Sequence, residues 1–162
     1  MPRRLTQWQK KYLAVISCSA AGHFVGVLVQ SSQSDIYVAE LANGSLQAVR
    51  RLIQEDMPEY PHAWTPDSRA VIFERPGKTG WDLYVQGIDA RLAYPLATEN
   101  GSKIIPQLSP DREWVLFSSF RDGSAAARAD QKLMRVPIGG GPQHLVPTGQ
   151  FDEYWRPENA VS

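Results

Sequence analysis

Short apolar runs of strand length recur along this chain, and they are too brief and too regularly interrupted by turn residues to follow a helical period. Val27-Leu28-Val29, Val71-Ile72-Phe73 and Val115-Leu116-Phe117 stand 44 residues apart. Their β-branched and aromatic side chains suit a pleated, half-buried surface. The same turn precedes two of them, as Trp64-Thr65-Pro66-Asp67-Ser68 and Leu108-Ser109-Pro110-Asp111-Arg112. In each, proline fixes φ near about −65° and the aspartate can accept hydrogen bonds from amides just ahead. Because the turn repeats, Asp67 and Asp111 are expected to be scaffold residues and not catalytic ones.

A third strand follows in each unit: Asp35-Ile36-Tyr37-Val38, Asp82-Leu83-Tyr84-Val85 and, more loosely, Lys132-Leu133-Met134-Arg135-Val136. Fourth strands are expected at Arg51-Leu52-Ile53, Ala93-Tyr94-Pro95-Leu96 and His144-Leu145-Val146. A unit of four short strands at 44 to 50 residues has the period of a propeller blade. The expected fold is therefore all-β, with about three four-stranded antiparallel blades in a partial, open β-propeller. Approximate blades span 12–54, 58–98 and 104–147, with the start of a further blade at 151–155. Tyr37, Tyr84, Trp64, Trp114, Phe73 and Phe117 fall at matched positions and are expected to fill the space between stacked blades. Closed propellers have about four to eight blades, so three units read as an arc: a fragment, a degenerate remnant, or a subunit that closes a ring with its own copies. Uncovered end sheets would expose apolar surface, which makes self-association an expectation.

Charge and chemistry narrow the function by exclusion. Lys plus Arg and Asp plus Glu number 17 each, so no positive field draws nucleic acid or an anionic membrane. The single cysteine, Cys18, excludes an intrachain disulfide and a multi-thiolate metal site. His23, His62 and His144 sit at unrelated repeat positions, so no metal site is expected, and His62 reads as structural. Near the N-terminus, Arg3, Arg4, Lys10 and Lys11 precede the apolar run Tyr12 to Val29, but Ser17, Ser19, Gly22, His23 and Gly26 interrupt it. A spanning helix wants about 20 unbroken apolar residues. The stretch before Cys18 is also shorter than the roughly 7 to 15 apolar residues of an export signal. Two strands, Tyr12 to Cys18 and Phe24 to Gln30, are expected there, with no stable membrane span. Gly139-Gly140-Gly141 is followed by no Lys-Ser/Thr and reads as a hairpin turn, not a phosphate cradle. There is no Gly-x-Ser-x-Gly elbow, His-Arg-Asp loop or Asp-Phe-Gly. No enzymatic activity and no cofactor are expected.

PHAWTPDS (Pro61 to Ser68), SDIYVAEL (Ser34 to Leu41), PQLSPD (Pro106 to Asp111) and LMRVPIGGGPQHLV (Leu133 to Val146) resemble signatures of the TolB-like, WD-repeat-like β-propellers. The resemblance runs from about Val25 to Tyr154. It is closest to propeller regions of bacterial proteins of acidobacterial type, where such blades follow a Ser/Thr kinase or a winged-helix regulator domain. Where the family carries glycine after Pro-Asp, this chain has Ser68 and Arg112. The resemblance implies a cytoplasmic or periplasmic bacterial protein. In family peptidases the catalytic serine belongs to a separate domain.

In an up-and-down blade the loops from strand two to three share a face with the connections from strand four to the next blade. Those two-to-three loops lengthen along the chain, from Val29–Asp35 to Phe73–Asp82 to Phe117–Lys132. Binding residues concentrate on loops held by a rigid scaffold, which singles out Arg75, Lys78 and Trp81, then Arg121, Asp122 and Arg128. Two functions remain open: a non-catalytic module that binds or senses a protein, ligand or second copy, and an accessory or regulatory propeller of a larger bacterial kinase, peptidase or transcriptional regulator.

Overall fold

The computed structural model describes residues 16–30, 34–99, 101–121 and 131–147. The 151–155 segment and the part of the first strand before residue 16 lie outside them. Three antiparallel sheets of four strands each follow one another along the chain. The first comprises β1 (Ile16–Cys18), β2 (Phe24–Gln30), β3 (Ser34–Ala42) and β4 (Ser45–Arg51). The second comprises β5 (Tyr60–Trp64), β6 (Ala70–Pro76), β7 (Trp81–Gly87) and β8 (Tyr94–Ala97). The third comprises β9 (Ser102–Leu108), β10 (Trp114–Phe120), β11 (Lys132–Pro137) and β12 (His144–Leu145). In every sheet the spatial order is the sequence order, so each is a meander. The three 44-spaced apolar runs are the second strands β2, β6 and β10, in equivalent places.

Strand alternation sends successive side chains to opposite faces, and the second sheet uses both. Val71 and Phe73 pack toward the first sheet with Ile36, Val38, Leu52, Ile53, Trp64 and Ile88. Ile72, Leu83 and Val85 pack toward the third with Val115, Phe117 and Val136. Two apolar layers therefore hold three sheets. Trp64, Phe73 and Phe117 fill those layers as expected, but Tyr37, Tyr84 and Trp114 are only half-buried. Trp114 projects from the face of the third sheet turned away from the second, and Arg135 covers it, with the guanidinium carbon 4.2 Å from the ring centroid. His144 meets the same ring edge-on.

The fourth strand of the first sheet is Ser45–Arg51, earlier than Arg51-Leu52-Ile53. Asn43 and Gly44 both have positive φ, 52° and 67°, and turn β3 tightly into β4. Asn-Gly is a strong two-residue hairpin signal because both positions need φ > 0. Leu52 and Ile53 instead leave the strand and sink into the layer below, with the Leu52 N–H donating to Ile36 O at 2.8 Å.

The Pro-Asp turns are near copies. Asp67 Oδ1 accepts from the Arg69 N–H at 3.1 Å and from the Thr65 hydroxyl. Asp111 Oδ1 accepts from the Glu113 N–H at 3.0 Å and from the Ser109 hydroxyl. These bonds, the hydroxyl first, hold both carboxyls below the usual range. Ser68 and Arg112 adopt φ of 61° and 63°, the left-handed region where a Cβ costs about 1–2 kcal/mol. Arg112→Gly is expected to raise unfolding stability by about 1 kcal/mol in urea denaturation. Ser68→Gly should gain less, because the Ser68 hydroxyl oxygen accepts from the Ala21 N–H at 3.2 Å and ties the first two sheets together. An equal gain at both positions would contradict that account.

Candidate functional site

At the loop face, the two junctions between sheets solve one electrostatic problem in different ways. Asp35 and Asp82 each stand near the start of a third strand, and both are buried. A buried carboxylate needs a cation and hydrogen bonds to offset desolvation. At the second junction Lys103, from β9 of the next sheet, supplies them. Its Nζ donates to Asp82 Oδ1 at 3.0 Å, to Gly101 O at 2.8 Å and to Glu99 O. Lys103 is 1% exposed. Gly101 fits because its φ is 90° and a Cβ there would stand 2.5 Å from Phe120 O.

At the first junction the residue 44 positions before Lys103 is Glu59, which cannot play that part. The cation comes instead from Arg51 at the end of β4. Its Nη2 donates to Asp35 Oδ1 at 2.9 Å and to Glu55 O at 3.0 Å. Glu55 is the repeat counterpart of Glu99, so guanidinium and ammonium bind matching partners from different strands.

Glu59 is left fully buried, and neither carboxyl oxygen has a hydrogen-bond partner. Its backbone N–H donates to Ser34 O at 3.0 Å, which pins it beside β3. Burial pushes its pKa up to about 8; Arg75 and Arg51 pull it down, while Glu55 and Asp35 push it up. Burial therefore favours the protonated, neutral form of Glu59 at pH 7. Arg51 Nε is a third buried polar atom without a hydrogen-bond partner at this junction.

Arg75 belongs to β6 itself, where Nη1 holds the Glu55 carboxylate and the guanidinium lies 3.8 Å from the Tyr84 ring centroid. Trp81 opens β7 and meets Tyr60 edge-on at 5.4 Å. Lys78 is exposed in the tight turn closed by the Gly77 N–H to Gly80 O bond at 2.6 Å. Arg121 is exposed just after β10. The structure thus gathers Arg75 and Trp81 beside the polar network, with Lys78 on the loop that joins their strands. Asp122 and Arg128 lie outside the described residues.

Inner strands β5 and β9 both carry a bulge, at His62 and at Ile105-Pro106. Bulges re-aim side chains at functional rims. His62 Nε2 lies against the Glu74 carboxylate without forming a hydrogen bond to it. Glu74 Oε1 also accepts from the Ile105 N–H at 3.1 Å, linking second and third sheets. No group of His, Cys, Asp and Glu among the described residues is arranged to hold a metal ion. On the opposite face, an open cleft of about 480 Å³ lies between the first two sheets, lined by Phe24, Val38, Ala48, Arg50, Ile88 and Asp89.

Sequence reasoning had not singled out Glu59, Lys103, Arg51 or the pairing of Asp35 and Asp82. The signal was present: two ionisable residue types of opposite sign, Glu59 and Lys103, occupy one repeat position at the entry of an innermost strand.

Solved structures share this arrangement of sheets. A putative TolB from Agrobacterium tumefaciens superposes with a TM-score of 0.66 at 21% identity, over 86% of this chain and 50% of that one. The fold is that of a TolB-like β-propeller. TolB from Acinetobacter baumannii matches with a TM-score of 0.64 at 18% identity, over 83% of this chain and 32% of that one. A puromycin-hydrolyzing peptidase of Mycobacterium tuberculosis matches with a TM-score of 0.65 at 14% identity, over 85% of this chain and 22% of that one. In sequence, an uncharacterized protein of Agrobacterium fabrum is 25% identical over 147 residues, 91% of this chain and 46% of its own length. The chain spans about half the length of that relative. No family model matches the chain. Among the described residues no helix is long and apolar enough to cross a membrane.

Breaking a buried ion pair by removing one partner costs about 3–5 kcal/mol. Lys103→Met is expected to cost that much in urea denaturation, and Asp82→Leu on top of it should recover most of the loss. Additive losses would show that the two groups are not coupled.

Glu59 sets a second expectation. The unfolded chain releases this proton near 4.5 and the native chain holds it to about 8. Between those values the native state binds the extra proton, so stability falls as pH rises, on the order of a few kcal/mol in all, and the loss is complete above the folded value. Glu59→Gln should flatten that part of the stability profile, read by urea denaturation from pH 5 to pH 9. An unchanged slope would assign it elsewhere.

Proposed function

We propose that this chain is a non-catalytic β-propeller module that binds a protein partner through the loop face around Arg75, Lys78, Trp81 and Arg121. The observation that carries the reading is the polar network at the first junction, where charged and aromatic residues from β5, β6, β7 and the 52–59 connection meet at the rim of a rigid scaffold. Rigid elements with an aromatic and an arginine at the rim suit protein recognition. The TolB-like fold supports a propeller module without naming its partner. A second copy of the chain is one partner to examine.

A second reading is favoured by the peptidase likeness, in which this chain corresponds to 22% of a much larger protein. Here the blades would be accessory to a bacterial enzyme, or to a kinase or winged-helix regulator of the kind the signature stretches resemble, and would regulate it by contact.

Both readings predict contact through the loop face. In cross-linking and capture from bacterial extract, Lys78→Glu combined with Trp81→Ala should reduce recovery of the bound protein at least tenfold. Arg69→Glu, in the Pro-Asp turn on the opposite face, should leave recovery unchanged. In light scattering over a dilution series, a second copy as partner would give about twice the 18.1 kDa chain mass. Equal capture by both variants would remove the loop face from the reading.

A further inference from the structure

A buried carboxyl with two unpartnered oxygens is a group the fold does not use as it stands, since such atoms are nearly always satisfied in native proteins. Glu59 is that group. The rest of its surroundings are already committed: Arg51 holds Asp35 and Glu55 O, and Arg75 holds the Glu55 carboxylate. The packing tolerates Glu59 only in its uncharged form, because an ionised carboxylate at zero exposure must find a donor or leave. Donors lie close by. The Arg75 guanidinium reaches a half-exposed Glu55 whose own carboxylate can be solvated by water, and Arg51 keeps an unused Nε–H inside the junction.

Four charged groups act on Glu59: Arg75 from β6, Glu55 from the 52–59 connection, Arg51 from β4 and Asp35 from β3. Two are acids and two are bases. Loss of the Glu59 proton turns a balanced set into one with an extra negative charge, and the cation that attracts it most strongly, Arg75, is the one that ties the 52–59 connection to β6.

We propose that Glu59 is a proton-controlled latch of the loop face: neutral, it leaves Arg75 on Glu55, and ionised, it takes the Arg75 guanidinium and releases the exposed middle of the connection, residues 54–58. This rests on the loop-face reading for its consequence, but the switch itself is a property of the chain alone. Releasing the connection shifts Tyr60, the residue next to Glu59, and with it the edge contact to Trp81 at the rim. The latch belongs to the first junction alone, because the second carries Lys103 in the same repeat position, where the charge is already paired.

The test is a titration of the full chain from pH 5.5 to pH 9.5 with ¹³C-labelled glutamate carboxyls, alongside tryptophan emission. One glutamate carboxyl is expected to titrate near pH 8, with a change in emission at the same midpoint. Glu59→Gln should abolish both. Trp81→Phe should abolish the emission change and keep the carboxyl titration. In Arg75→Met the carboxyl midpoint should move upward and the emission step should disappear. The unsubstituted chain alone can overturn the proposal: it fails if every glutamate titrates below pH 6, or if Glu59 titrates with no change at Trp81. Equal partner capture by the Lys78→Glu, Trp81→Ala variant and by Arg69→Glu, with the titration of the unsubstituted chain intact, would overturn the loop-face reading and leave the latch standing.

Discussion

Buried aspartates at the third strands of the first two sheets must be neutralised within the junction, and the fold's loop face is organised around that demand. The apolar layers supply most of the cohesion, since Phe73, Ile72, Leu83 and Phe117 are removed from water and each such side chain contributes on the order of 1.5–3 kcal/mol. Apolar packing is non-directional, however, and does not by itself fix how far one sheet slides over the next. The Asp82–Lys103 pair fixes that position at one point, because an ammonium with three partners at hydrogen-bond distance tolerates little displacement. On the opposite face, Gln86 Nε2 donates to Leu52 O at 2.9 Å and to Ala90 O at 3.0 Å. The first junction thus has a polar fastening at each rim, with the apolar layer between.

The sequence carried the strand pattern well because the forces that make a blade are local and periodic. Val27, Val71 and Val115 announce second strands by spacing, and Thr65-Pro66-Asp67 and Ser109-Pro110-Asp111 announce the turns by chemistry that acts within five residues. The substitutions at Ser68 and Arg112 were legible in the same way, since a turn that favours glycine requires the positive φ that both residues adopt. Apolarity misled at the end of the first sheet. Leu52 and Ile53 have strand-forming side chains, yet the Asn43-Gly44 hairpin starts β4 early enough for the strand to end before them.

The candidate site was less legible because its members come together through packing between sheets, not through spacing along one. Arg75, Lys78 and Trp81 were accessible to sequence reasoning as residues near one loop. Their setting was not: Glu55 and Tyr60 reach them across the junction, and that approach depends on how the first two sheets stack. Trp114 shows the same limit from the other side. Its repeat position suggested core, but strand alternation places it on the outer face of the third sheet, where the cover is Arg135 and His144.

The exchange between Lys103 and Arg51 has a structural consequence beyond charge. When the cation comes from the innermost strand of the next sheet, as Lys103 does, the connection between sheets is folded against it and the site is closed. When it comes from the fourth strand of the same sheet, as Arg51 does, the innermost strand is relieved of that duty and its entry position can carry an acid. The connection is then held by side-chain contacts, with Arg51 reaching Glu55 O and Asp56 at 3.7 Å, and Arg75 reaching the Glu55 carboxylate. Asp56 remains largely in water and Glu55 is half-exposed, positions at which such pairs contribute at most about 1 kcal/mol each. Local opening is drawn from the regions with the fewest buried contacts, so residues 54–58 of the connection should open before either apolar layer does. The first junction has thereby exchanged a closed fastening for an adjustable one, beside the aromatic pair Tyr60 and Trp81 at the rim.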